Sequence, residues 1–599
     1  MKKSLLFSAV LAGLMLGSCS SSDDLNGGNT PANQDGNGYV SLSLNLPTRS
    51  GSMSRAANDQ FDDGLADEYA VKDGTLILFE GTDEANATFA GAYTLKNLSM
   101  NLVGTSTDNI TTTTKITQKI NSGLADGTKN FYAIVVLNNN GTLAVDDDHA
   151  TLKVNGEDFP STKKISDLQD LKLTENASKF NTTGFLMMNA PLASAAGGAH
   201  DPSSATISVA SKIDKDHIYA TEALAKANSS ATIYVERALA KVDVTASKPT
   251  GNLDDAPTVQ YSVEGWVLDN TNKKTYYLRN TSNPTEWLSL ATNAAAPNNP
   301  AKPYRFVGDT PVEGGVSLYR TYWAQDPNYA TKPTVLANDF NTIGNSVPAA
   351  LKSLSEHDYC LENTFTVDQQ KQDVTTRVIV AAKIGSGSTF GSTFYVVNDN
   401  EKDLLDADGM KKAVKSAFLN NTDVQAWIKT GLKAGETIDK NDLDVTVAST
   451  AGNNAPTVSV NATGNAKYTS GSAPTVTTDI TNIMKAIKVA TYANGISYYP
   501  VRIKHFGDDL TPWKSTETPL PTVSEGAYPS PNQKANYLGR YGVLRNNWYN
   551  IDVQGIKKLG SPVVPEVTGD TDDELAAYIS VKINVLSWAK RTQGATLGE

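Results

Sequence analysis

Val40-Ser41-Leu42-Ser43-Leu44-Asn45-Leu46 places an apolar residue at every second position with a polar one between. Successive side chains of a strand point to opposite faces, so this spacing predicts a strand with Val40, Leu42, Leu44 and Leu46 on its inner face. Pro47, which cannot donate to a ladder, ends it. The same texture continues outward. Residues 75–79 (TLILF) and 131–137 (FYAIVVL) read as short buried strands, the second running into Asn140-Gly141, a tight-turn pair. Residues 232–244 read as one long strand bent near its middle, and Lys248 to Gly251 as a domain boundary. In the second half, residues 374–384, 393–397 and 498–504 read as strands, with Asn494-Gly495 joining a pair. Between them the period changes. Leu404, Leu405, Met410, Ala413, Val414, Ala417, Phe418, Trp427 and Ile428 suit two short amphipathic helices within 402–432.

Composition agrees with a β-rich chain. Of 599 residues, 39% are hydrophobic and only 19% charged, and the balance goes to Thr, Ser, Asn and Gly, residues of strands, turns and loops. Length alone allows two to four domains. The 52 Lys+Arg against 64 Asp+Glu give a net charge of −12, which offers no electrostatic attraction to nucleic acid or anionic membrane surfaces. No nucleic-acid partner is expected.

The amino terminus points to export. In MKKSLLFSAVLAGLMLGSC, Lys2 and Lys3 precede a short apolar run from Leu5 to Leu16 that is too brief for a stable span of about 20 residues. It ends in Leu16-Gly17-Ser18-Cys19, which resembles the bacterial lipobox. That resemblance implies removal of residues 1–18 and lipidation of Cys19, with the acyl chains holding the precursor to the membrane. Ser20 to Asp24 and the Gly/Asn/Pro-rich stretch to Gly38 cannot bury apolar surface and read as a tether. The acidic residues after Cys19 are similar to the surface-export signal of Bacteroidales lipoproteins.

Catalytic signatures are missing. The chain has no G-x-S-x-G, H-E-x-x-H or P-loop, and no dinucleotide fingerprint after a strand. Gly385-Ser386-Gly387-Ser388 reads as a loop. Asp146-Asp147-Asp148-His149 offers oxygen ligands for a hard cation but lacks EF-hand spacing, and a solvated turn is the simpler reading. The five histidines are scattered singly, and with Cys19 lipidated Cys360 has no disulfide partner in the chain. The nearby His357 and Cys360 lack a visible third group, so Cys360 reads as a buried structural thiol. Trp266, Tyr276, Tyr277, Trp323 and Trp548 could form a carbohydrate platform, but strands are naturally rich in aromatics and core packing is the simpler role. Neither an enzyme nor a cofactor or metal site is expected.

The carboxy-terminal end carries the most specific pattern. Residues 542–553 (GVLRNNWYNIDV) lead to 556–560 (IKKLG), then a Pro/acidic connector over 561–573, then residues 578–588 (YISVKINVLSW). These motifs, in this order, together with residues 235–244 (VERALAKVDV), the lipobox and the 40–46 strand, resemble the fimbrillins of Bacteroidales, specifically the major structural subunit of the minor fimbrium (a type V pilus shaft subunit). The resemblance covers most of the chain in patches and is weakest over about 270–480.

The resemblance implies an all-β-dominated chain of two transthyretin-like β-sandwich domains, the second with a short helical insertion. It divides the chain into signal peptide (1–18), tether (19–38), first strand and propeptide end (39–55), amino-terminal sandwich (56–247), carboxy-terminal sandwich (248–560), and connector with donor strand (561–599). It also implies a life cycle of surface export as an outer-membrane lipoprotein, proteolysis after an arginine, and polymerisation by donor-strand exchange into a fimbrium that supports adhesion and biofilm formation. Arg55-Ala56 fits the family's cut, with Arg49-Ser50 the alternative; both lie in a Ser/Gly-rich stretch suited to nicking. Loss of Val40, Leu42, Leu44 and Leu46 would forgo roughly 6–12 kcal/mol of apolar burial, which an added strand can recover. Ile579, Val581, Ile583 and Val585, followed by Trp588, offer the donor pattern on a connector expected to reach away from its own domain. The same spacing would equally let 578–588 complete its own sandwich. The implied partners are identical subunits, accessory tip and anchor subunits, a maturation protease, and host or bacterial surface ligands. A tip subunit and a permanently anchored lipoprotein that binds glycans or host proteins are the alternatives.

Overall fold

The computed structural model describes residues 37–46, 68, 70–96, 98, 101–103, 111–121, 129–174, 180–181, 184–194, 206–282, 307–311, 319–329, 336–344, 348–349, 351–387, 390–505, 537–570, 572 and 579–587. It is mostly β, with several sheets and few helices. Nine strands form the first sheet: β1 (Asn37–Leu46), β2 (Gly74–Gly81), β3 (Thr88–Thr94), β4 (Asn101–Val103), β5 (Thr111–Asn121), β6 (Asn130–Leu137), β7 (Met187–Asn189), β8 (Ser211–Ile213) and β9 (Ala231–Arg237). Their order is β3-β2-β6-β7-β9-β1-β5-β4, with β8 also pairing β6. Leu76, Ile77, Ile134, Val136, Ile233 and Val235 pack with Val40, Leu42 and Leu44 in one core. A short helix, α1 (Glu222–Ala227), capped by the Thr221 side chain, lies against β1 and β5.

A second core begins where the first ends. The stretch 232–244 is two strands rather than one: β9 stops at Arg237, and β10 (Leu239–Ala246) begins after Ala238. Leu239 packs in the first core and Ala240 in the second. The change of core therefore falls here and not at Lys248 to Gly251, where Thr250–Asn252 forms the short strand β11. The others are β12 (Gln260–Asp269), β13 (His357–Leu361), β14 (Arg377–Gly385), β15 (Ile496–Arg502), β16 (Asn547–Ile556) and β17 (Ile579–Ser587). They build two four-stranded sheets, β13-β10-β16-β17 and β11-β12-β14-β15. Val242, Val244, Ile551 and Val553 of one sheet share a core with Tyr261, Trp266, Val380 and Val501 of the other, as alternating strands of two facing sheets do.

The two expected helices are present as α2 (Ala407–Leu419) and α3 (Thr422–Lys429), capped by Asp406 and Asn421. They bury Met410, Val414, Phe418, Val424 and Ile428. The insertion is larger than 402–432. A third helix, α4 (Thr478–Ala486), and strands at Phe394–Val397, Leu443–Thr446, Thr457–Val460 and Val489–Tyr492 complete a separate small core between β14 and β15. Asn494-Gly495 does form a left-handed turn (φ 53° and 69°), but it does not close a hairpin. The strand before it pairs with Phe394–Val397 and the strand after it, β15, with β14.

Candidate assembly site

The strand that opens the chain's folded part occupies the middle of its sheet. β1 runs antiparallel to β5 from Asn37↔Asn121 to Leu46↔Thr112. On its other edge, Leu42 to Asn45 run parallel to Ala231 to Tyr234 of β9. Tyr39 and Tyr219 exchange backbone hydrogen bonds of 2.8 and 2.9 Å, and Ser230 N–H donates to Ser41 O at 2.7 Å. Val40, Leu42 and Leu44 are each 0% exposed, as their spacing predicts; β1 includes Leu46, whose side chain lies outside the described residues. A strand paired on both edges and buried on its inner face cannot leave without exposing two ladders and an apolar wall. Three such side chains represent roughly 5–9 kcal/mol of burial.

Cys19, Arg49, Ser50, Arg55 and Ala56 lie outside the described residues. The chain re-enters at Glu68, which is buried between the two cores. Its carboxylate pairs with Lys241, and its carbonyl accepts from Arg237 Nε at 2.7 Å. Around it the sequence motifs converge. Arg237 N–H donates to Asn546 Oδ1, and Asn546 N–H donates to Leu239 O at 2.7 Å. Asn546 adopts φ 59°, a left-handed conformation that Asn tolerates. Arg545 reaches Glu362 at 3.3 Å, and Arg279 reaches Glu236 at 3.1 Å, all four side chains being buried. The Arg-Asn-Asn and Val-Glu-Arg motifs are thus the junction between the cores. Charges buried this deeply persist only when paired and hydrogen-bonded.

Gly560, the last residue of the Ile-Lys-Lys-Leu-Gly motif, sits against β15: a Cβ there would lie 2.6 Å from Tyr498 O. Beyond it, the connector is held, not free. Tyr498 and Ser561 exchange backbone hydrogen bonds, Val564 is fully buried, and Pro565 O accepts from Arg377. Asp572 is buried against Arg502 at 3.1 Å. Burial draws the Arg502 guanidinium down to about 10, with Asp572 opposing that shift. The expectation of a reaching connector is therefore corrected up to Asp572, because apolar and ionic contacts fasten it to the second core. Only residues 573–578, outside the described residues, lie between this anchor and β17.

β17 pairs antiparallel with β16 of its own chain, Ile579↔Ile556 to Ser587↔Asn547, and stands at the end of its sheet. Val581 is fully buried; the side chains of Ile579, Ile583 and Val585, and all of Trp588, lie outside the described residues.

The other candidates behave as structural residues. Asp146 Oδ1 accepts from the N–H groups of Asp148 and His149, and Asp147 accepts from Thr94 N–H, so this acidic turn satisfies its own backbone. No group of three metal-ligating side chains occurs among the described residues. Cys360 is fully buried, which raises its thiol well above the ordinary range. Trp266, Tyr277 and Trp323 are buried, while the indole of the half-buried Trp548 donates to Asp243 at 2.7 Å. Gly385 to Gly387 close β14 and enter a loop. An open polar cleft of about 370 Å³ beside Glu84, Gln169 and Asn280 was not foreseen, its residues being scattered in sequence. No helix among the described residues is long and apolar enough to cross a membrane.

Comparison with known proteins adds a family resemblance at the carboxy-terminal end. Residues 527–594 match the family model described as "Major fimbrial subunit protein type IV, Fimbrillin, C-terminal". No curated protein matches the chain. Among solved structures, a protein described as a cell adhesion protein from Parabacteroides distasonis aligns at 11% identity over 92% of this chain and 98% of its own, with a TM-score of 0.32. The tip fimbrial protein Mfa3 from Porphyromonas gingivalis aligns at 10% identity over 92% of this chain and 100% of its own, with a TM-score of 0.26. The matched segment contains β16, the fastened connector and β17, so the carboxy-terminal end of the chain is similar to the fimbrillins.

Proposed function

We propose that this chain is a shaft subunit of a cell-surface fimbrium, built from two transthyretin-like β-sandwich domains, the second carrying a helical insertion. The precursor is exported as a lipoprotein through Cys19 and held to the outer membrane by its acyl chains alone. Proteolysis after Arg55, or alternatively Arg49, releases the segment containing β1. The terminal strand of a neighbouring subunit then fills the vacated slot, and the polymer supports adhesion and biofilm formation. Its partners are identical subunits, accessory tip and anchor subunits, the maturation protease, and surface ligands of host or bacterial cells.

The observation that carries this reading is the position of β1: buried on its inner face, central in its sheet, and followed within nine residues of Leu46 by both candidate arginines. A cut there separates β1 from a chain that Glu68 anchors independently. One observation favours a subunit that accepts without donating, or an anchored lipoprotein: β17 is accommodated in its own sheet. The test is an Arg55→Ala, Arg49→Ala double variant, expected to accumulate at the cell surface as lipidated, unpolymerised precursor. Normal SDS-resistant polymer from that variant would defeat the reading.

A further inference from the structure

The slot that holds β1 is narrow on both sides. Beyond the inward-facing Val40, Leu42 and Leu44, Ser41 on the opposite face is also 0% exposed. Its neighbours on that face, Tyr39 and Ser43, are only half-buried. The cover over Ser41 comes from the segment between β8 and β9. Helix α1 lies against β1, with Ala225 fully buried. Ser41 N–H donates to Ser230 Oγ at 2.8 Å, and Ser230 Oγ in turn donates to His217 O at 2.7 Å. A side chain much larger than Ser at this point would have to displace that cover. Any strand occupying the slot therefore needs a small residue there, flanked by apolar residues one before, one after and three after.

The terminal strand meets that requirement in one register. Setting Ser580 at the place of Ser41 puts Ile579 at Val40, Val581 at Leu42, Ile583 at Leu44 and Val585 at Leu46. The polar positions agree as well: Asn584 falls at Asn45, and Lys582 falls at the half-exposed Ser43. The match V-S-L-x-L-N-L to I-S-V-x-I-N-V holds only with both segments read in the same direction, which keeps the strand antiparallel to β5. Ser587 fails in the same place, because it would set Trp588 at Leu42 and Lys590 at Leu44. A shift by two residues would place Lys582 under the cover, and a shift by one would turn the apolar side chains outward.

We infer that the occupant of the emptied slot is residues 579–585 of a second copy of this chain, held in a single register by a steric gate at Ser580 formed by α1 and Ser230. This rests on the strand-exchange reading and specifies its register and selectivity. Strands lacking a small residue at that position are excluded, so the gate discriminates among donors of similar hydrophobicity.

Cysteine pairs read the register directly. In the full-length protein displayed on cells, Lys582→Cys combined with Lys115→Cys places the two thiols opposite each other, as Ser43 and Lys115 are now. Buried Cys360 contributes no accessible thiol. A disulfide between subunits is expected for 582–115, at least fivefold above Lys582→Cys with Thr113→Cys or Thr117→Cys. Predominance of 582–113 or 582–117 within intact polymer would overturn the register while leaving strand exchange standing. Absence of polymer from the parent protein would overturn both. In parallel, Ser580→Phe should reduce SDS-resistant polymer at least tenfold, whereas Ser580→Ala and Lys582→Phe should retain it. Normal assembly of Ser580→Phe would refute the gate.

Discussion

Glu68 and Lys241 form an ion pair of 2.8 Å with side-chain exposures of 1% and 3%. The Lys241 ammonium also lies 4.0 Å from the centre of the Trp548 ring. The pair ties the residue that follows the candidate cleavage stretch to the strand that opens the second core. In the proposed maturation, it is the point that would keep the chain fastened once everything before it is removed.

Substituting Glu68 by Gln leaves a buried ammonium without its counter-charge and should destabilise the protein by about 3–5 kcal/mol in urea unfolding. Because replacing the ammonium with an apolar side chain removes that uncompensated charge, Glu68→Gln with Lys241→Met should recover most of the loss. Additive losses in the double variant would show that the two do not act as a pair.

Leu42 is fully buried in the precursor and absent from the proposed mature subunit. Leu42→Ala should therefore lower precursor stability by about 2–5 kcal/mol. The temperature at which processed polymer dissociates should not change. A matching loss in the polymer would mean that β1 is retained.

Asp326 is buried and accepts N–H bonds of 2.6 Å from Asn328 and from Thr364. Burial, aided by the nearby Glu362, outweighs these bonds and pushes its carboxyl up to about 8. The folded state then keeps a proton that the unfolded state releases near about 3.9. Its contribution is complete below that lower value and is lost as pH rises through about 8. Asp326→Asn, neutral throughout, should gain stability relative to the parent between pH 5 and pH 8 in thermal melts. A constant difference across that range would contradict the assignment.

Asp572 fastens the connector to Arg502 from within the second core. Asp572→Ala should loosen residues 561–572, read as faster hydrogen exchange at Tyr498 N–H, which donates to Ser561 O. Unchanged exchange there would show that the apolar contacts of Val564 suffice.

Strands with strict alternation, such as Val40 to Leu46, were legible because one face alone is apolar. Helices α2 and α3 were legible because Met410, Val414 and Phe418 recur at helical spacing. The break at Ala238 was not, since residues 232–244 are β-forming throughout and only the change of partner strands divides them. The connector read as free because Pro and acidic residues suggest solvent, whereas Asp572 is buried by a distant arginine that no local pattern announces. The motifs at 235–244 and 545–547 stood out as a resemblance, yet their joint role as a junction emerged only from distances between segments about 300 residues apart. The cover over Ser41 was equally hidden, because a serine in an alternating strand ordinarily faces water.

The most direct measurement is the amino-terminal sequence of this protein in SDS-resistant oligomers sheared from native cell surfaces. A start at Ala56 (or Ser50), in a ladder that collapses on boiling, is the predicted result. A terminus blocked at lipidated Cys19, with monomer alone, would contradict it.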